Sequence, residues 1–143
     1  LLDHVRAAGL DLDYAGFDIA PGMVAAARSR HPADPRAAFG DAEAVLAGCD
    51  YVVASGVLNV RLGTPAGEWE AYAADTVGRL AGLARRGFAF NCLTSYSDPD
   101  RMRPDLYYAD PCFWFDHCKR RYSKQVALLH DYGLYEFTLI VRY

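Results

Sequence analysis

The apolar positions along the chain change their period again and again. Leu1, Leu2 and Val5 share one face of a helix, and Gly9 is a suitable cap for its end. Residues 14–19 form a short apolar run that reads as a buried strand with Asp18 at its end. Pro21 suits a first helical turn, so a helix is expected through Met23, Val24 and Ala27 to about Arg30. Pro32 and Pro35 stop it. Residues 37–39 read as a weak strand closed by Gly40-Asp41, with a short helix or turn over 42–47. Residues 50–53 are the clearest strand and run into the small residues Ala54, Ser55 and Gly56. A loop follows over 57–66. Residues 67–86 carry Trp69, Tyr72, Ala73, Thr76, Val77, Leu80, Leu83 and Ala84 at three-and-four spacing, a helical stripe capped by Gly87. A strand over 88–93 and a long polar loop over 94–110 come next. Asp110-Pro111 opens a helix through Phe113, Trp114 and His117 to the basic turn at 119–121. Strands over 124–130 and 135–142 close the chain, and the short link 131–134 makes them antiparallel.

Alternating strands and helices point to an α/β fold: a mostly parallel sheet with helices on both faces and a C-terminal antiparallel hairpin. At 143 residues the chain is expected to be a single domain. Composition narrows the function. With 52% hydrophobic and 23% charged residues the chain is not disordered. A net charge of −3 lacks the basic excess of a nucleic-acid binder, so no nucleic-acid partner is expected. No apolar run reaches the roughly 18 residues of a membrane span, so no membrane partner is expected either. Cys49, Cys92, Cys112 and Cys118 form no CxxC pair, and the spacing around His117 is not that of a zinc site. They read as buried thiols of a cytoplasmic protein, with no metal.

In a parallel sheet, ligands gather beyond the carboxyl ends of the strands. Asp18 ends one strand and can accept the hydroxyls of a ribose; it can equally serve a turn or a helix start. Asp41 ends the next and can accept from an exocyclic amine, or cap the short helix after it. Ala54-Ser55-Gly56 lets a ligand approach the backbone closely, or simply packs a turn. Tyr107, Tyr108, Phe113, Trp114 and Phe115 can wall an apolar pocket or fill a core. His117 can act as a base or sit packed; His130 is a weaker candidate. No GxSxG, P-loop, HExxH or paired-carboxylate pattern occurs, which leaves hydrolase and kinase readings without support.

Three segments together carry a family resemblance: residues 14–23 (Tyr-Ala-Gly-Phe-Asp-Ile-Ala-Pro-Gly-Met), 39–42 (Phe-Gly-Asp-Ala) and 49–59 (Cys-Asp-Tyr-Val-Val-Ala-Ser-Gly-Val-Leu-Asn). With the closing hairpin, they make the chain resemble a class I S-adenosylmethionine-dependent methyltransferase of the small-molecule or uncharacterised type, on a Rossmann-like fold. The resemblance implies S-adenosylmethionine as cofactor. It places Asp18 on the ribose hydroxyls, Ile19 beside the adenine and Met23 in the same binding segment. It places Asp41 on the adenine amine with Ala42 contributing backbone. Ser55, Gly56 and Val57 would form the floor near the sulfonium. Segment 94–110 and the helix after it would shape the site of a small-molecule acceptor, with Tyr96, Tyr108 and His117 as candidate catalytic groups. Methyl transfer would be an in-line displacement driven by positioning.

The family's first strand and its Gly-rich loop have no counterpart here, since no GxGxG occurs. The expectation is therefore a single but N-terminally incomplete methyltransferase domain over 1–143, its first strand missing and its sheet gapped, and a fragment of uncertain activity. Two alternatives stand beside it. An NAD(P)-dependent oxidoreductase on a Rossmann fold would share Asp18 but lacks a Tyr-x-x-x-Lys pair here. A non-catalytic interaction module would form a homo-oligomer through unpaired strand edges.

Overall fold

Local signals set the first elements of the computed structural model, which describes residues 1–143. Pro21 starts a helix whose N-terminal flank is Ala20, and the chain leaves the preceding short helix at Gly9 with φ 67°. The chain folds as two compact units, 1–49 and 50–143. The first holds α1 (Leu2–Ala7), β1 (Tyr14–Phe17), α2 (Pro21–Arg30) and β2 (Ala37–Gly40), followed by a 3-10 turn over Glu43–Leu46. β1 and β2 pair in parallel, with Phe17 opposite Gly40. Ion pairs tie the ends of this unit. Arg6 meets Asp34 at 2.8 Å, Arg36 meets Asp13 at 2.8 Å, and Arg30 meets Asp3. Leu2, Val5 and Val24 are its buried apolar side chains.

The second unit holds β3 (Tyr51–Ala54), α3 (Ala66–Leu83), β4 (Gly87–Thr94), β5 (Tyr108–Ala109), α4 (Pro111–Arg121), β6 (Gln125–Leu129) and β7 (Glu136–Arg142). Its sheet runs β3-β4-β7-β6, with β5 beside the end of β4. β4 is parallel to β3 and β5, and antiparallel to β7. Period-two alternation buries Phe88, Phe90, Cys92 and Thr94 from β4 and Phe137, Leu139 and Val141 from β7. α4 covers this face: Trp114 meets Phe90 edge-on at 5.6 Å, and Tyr122, just past the helix, meets Phe88 at 5.4 Å. α3 lies on the same face, since Gly78 faces the Tyr122 hydroxyl and Ala81 accepts a hydrogen bond from Tyr143. The opposite face is half-exposed, with Ala89, Asn91, Leu93, Glu136, Thr138 and Ile140 along it.

The parallel pairings and the closing hairpin match the sequence expectation. The strands form two sheets, with an unpaired edge on β1 and another on β3. Gly87 is not a helix cap. α3 stops at Leu83, and Gly87 is the first residue of β4, where a Cβ would run into the Val141 carbonyl across the sheet. The polar segment after β4 is also more structured than a loop. It contains a 3-10 turn over Pro99–Arg101, a bridge between Val60 and Leu106, and β5.

Candidate functional site

In the first unit, parallel register puts Asp18 and Asp41 side by side, each one residue beyond its strand, and Asp18 N–H donates to the Gly40 carbonyl at 3.2 Å. Asp18 is half-buried; its Oδ1 accepts the Ala20 N–H at 2.8 Å in a turn, and its other oxygen has no partner. Asp41 is exposed and makes no side-chain hydrogen bond. The 3-10 turn after it has Ala42 as its N-terminal flank and no side-chain cap, so capping does not occupy Asp41. Ile19 is 82% exposed and Met23 59%, two large apolar side chains presented beside the Asp18 carboxylate. Ala42 is exposed as well. An open concavity of about 180 Å³ reaches from Asp18 and Met23 to Tyr14, Gly16 and Phe39. A carboxylate oxygen without a partner can accept a hydroxyl or N–H of a ligand whose apolar part packs on the exposed side chains beside it.

In the second unit, β3 leads into Ser55, Gly56 and Val57, all exposed. Gly56 has φ 72°, and the space where its Cβ would stand is empty, so the backbone there is open to close approach. The turn is anchored at both ends. Gly56 N–H donates to Asn91 Oδ1 at 2.7 Å, and Trp69 donates to the carbonyl of the buried Leu58 at 2.8 Å. A concavity of about 160 Å³ lies against Val53, Ser55, Ala89, Asn91 and Thr138.

Tyr96 stands 69% exposed after β4, its ring 5.8 Å from that of His130. Tyr108 is half-buried in β5, and its hydroxyl accepts the Arg103 N–H at 3.0 Å. His117 lies two turns into α4, its ring against Phe113, Trp114 and Tyr122. Its Nε2 is buried without a hydrogen-bond partner. Burial, and next the nearby Arg121, push its pKa below the ordinary histidine value, against Asp116 and Glu70. Tyr107 is buried; its hydroxyl accepts from Trp114 and donates to Glu70, both at 3.3 Å, and burial lifts its pKa far above the ordinary tyrosine value.

Sequence reasoning missed one cluster, Asn59, Asn91 and Glu136. Asn91 donates to Glu136 Oε2 at 2.6 Å, Asn59 reaches Oε1 at 3.4 Å, and Asn59 Oδ1 accepts the Leu93 N–H at 3.1 Å. The available signal was an asparagine inside the apolar run Phe88-Ala-Phe-Asn-Cys-Leu93.

No family model matches the chain. A Mycobacterium tuberculosis protein named "Putative methyltransferase Rv1506c" is 56% identical over 142 residues, covering 99% of this chain and 86% of that one. Magnesium protoporphyrin IX methyltransferase from Synechocystis PCC 6803, solved with bound S-adenosylmethionine, aligns at TM-score 0.58 and 18% identity over 92% of this chain. Human N-acetylserotonin methyltransferase, solved in complex with the same molecule, aligns at TM-score 0.57 and 13% identity over 91%. The chain spans 60% of the length of the first of these structures and 40% of the second. None of these relatives favours the oxidoreductase alternative. By its sequence likeness to the mycobacterial protein and its fold, the chain belongs to the methyltransferase family, on the fold of the class I S-adenosylmethionine-dependent enzymes.

Proposed function

We propose that this protein transfers a methyl group from S-adenosylmethionine to a small-molecule acceptor, with residues 1–143 acting as one methyltransferase domain. The parallel register that sets Asp18 beside Asp41 carries the reading, because both carboxylates stand at strand ends and neither serves as a helix cap. In the first unit, the free oxygen of Asp18 holds the ribose hydroxyls, Ile19 and Met23 flank the adenine, and Asp41 accepts from its amine beside the Ala42 backbone. In the second unit, Ser55, Gly56 and Val57 give the open backbone that a bulky sulfur centre needs.

The cofactor supplies a methyl group on positively charged sulfur. Bound by Asp18, Asp41 and the Gly56 turn, it would offer that methyl carbon to an acceptor lone pair, with the carbon–sulfur electron pair left on the departing sulfur. What the protein contributes is alignment. Tyr96 and Tyr108 are the acceptor-side hydroxyls and His117 a further candidate, the reserve groups where the acceptor must shed a proton. Solved neighbours that act on small molecules support a small acceptor. Four unpaired cysteines support a reducing, cytoplasmic setting.

The test is titration calorimetry of the chain with S-adenosylhomocysteine, with NADH as control, repeated on Asp18→Ala. The expected result is binding of S-adenosylhomocysteine alone, weakened on the order of tenfold or more in the variant, the scale of one lost charge-assisted hydrogen bond or more. Binding of NADH alone would overturn the reading.

A further inference from the structure

Asn91 stands in β4 at a position whose side chain points to the half-exposed sheet face, away from Phe88, Phe90 and Cys92. Antiparallel register brings it next to the first residues of β7, with Asn91 opposite Thr138 and Leu93 opposite Glu136. Backbone N–H groups then fix both carboxamides. Gly56 donates to Asn91 Oδ1 and Leu93 donates to Asn59 Oδ1, so the amino ends of both asparagines turn toward Glu136. The Glu136 carboxylate is half-buried, is held by two neutral donors, and has no Lys, Arg or His within ion-pair distance. A carboxylate only partly open to water still attracts a cation brought close to it. Here one is absent, and the group lies two hydrogen bonds, through Asn91, from the open turn at Gly56.

We propose that Glu136 is the anionic partner of an onium group bound at the Gly56 turn, namely the sulfonium of S-adenosylmethionine. The idea rests on the methyltransferase reading above and adds a residue to it. Asn59 and Asn91 position the carboxylate, and the carboxylate supplies the charge. Opposite charges a few ångströms apart in a partly desolvated site attract strongly enough to separate a sulfonium from a neutral thioether. S-adenosylmethionine and S-adenosylhomocysteine differ by that charge and one methyl group, so the ratio of their affinities reads the interaction.

Both dissociation constants are to be measured by calorimetry at low salt on the wild-type chain, Glu136→Gln and Glu136→Asp. Glutamine keeps one acceptor oxygen, for Asn91, gives up the longer bond from Asn59 and carries no charge, and an unchanged thermal midpoint checks its fold. In Glu136→Gln the preference for S-adenosylmethionine over S-adenosylhomocysteine is expected to fall on the order of tenfold, and Glu136→Asp is expected to retain most of it. If Glu136→Gln weakens both ligands by the same factor, or neither, the residue only braces the turn and the proposal falls while the methyltransferase reading stands. If the wild-type chain binds neither ligand, both fall.

Discussion

His117 shows how one side chain can carry a measurable property whatever its part in the chemistry. Its ring is enclosed by Phe113, Trp114 and Tyr122, with a buried and unpartnered Nε2. Protonation would add a charge with no acceptor, so its folded-state pKa lies below the unfolded value of about 6.5. Well above pH 6.5 the imidazole is neutral in both states and pH has no effect through it. As pH falls below that value the unfolded chain takes up the proton first, and stability is lost down to the depressed folded pKa. Urea unfolding midpoints at pH 7.5 and 5.5 should therefore separate in the wild type and converge in His117→Gln; equal separations would show that the imidazole does not titrate on unfolding. At this scale the sequence makes legible the placement that follows from position along one strand. Asp18 and Asp41 could be named because each ends a strand. Asn91 and Glu136 could not, because their bond joins residues 45 apart and depends on which strand lies beside β4.

Elements were read well wherever a local signal sets them. Pro21 and Asp110 mark helix starts, and Asp110 accepts the Cys112 N–H at 2.8 Å as the cap of α4. The end of α3 departs from the sequence expectation because a glycine after a helix has two uses, a left-handed cap and a site of close approach, and sequence alone does not separate them. At Gly87 the second applies. Its hypothetical Cβ meets the Val141 carbonyl and lies 3.2 Å from Arg142 Cα, backbone atoms that cannot swing aside. Gly87→Ala should cost about 1–3 kcal/mol or more by overpacking the β4–β7 pair. Gly82 makes the contrast, since it lies exposed in α3 with open space around it. Gly82→Ala should stabilise by about 0.5–1 kcal/mol through helix propensity. Denaturant midpoints of the two variants should move in opposite directions; a tolerated Gly87→Ala would mean that β7 can shift against β4. The segment after β4 is the other difference. Its order comes from Arg61 and Leu62 N–H groups that both donate to the Asp105 carbonyl at 3.0 Å, a long-range zipper with no local pattern.

For the molecule as a whole, burial is unevenly shared between the two units. The first has a two-stranded sheet and buries Leu2, Val5 and Val24. Two paired strands are marginal alone, and ion pairs such as Arg30–Asp3, with both side chains more than half exposed, add little. The second unit encloses Trp114, Phe88, Phe90 and Phe137 almost completely. Its Cys92 and Cys118 thiols lie in the same core, where burial pushes each up to about 12 and so keeps them protonated and inert at neutral pH. Opening free energy follows such burial locally. Amide exchange should therefore be fast across β1 and β2 and slowest across β4 and β7. S-adenosylhomocysteine, if Asp18 and Asp41 hold its nucleoside, should slow exchange of the Asp18–Ala20 turn and the strand ends more than that of β4. A ligand that binds only folded protein adds RT ln(1 + [L]/Kd), about 2.7 kcal/mol at a hundredfold excess over Kd, and the gain is visible only where opening releases the ligand. Uniform exchange across both units would show one cooperative body, and protection confined to the second unit would move the nucleoside away from the two aspartates.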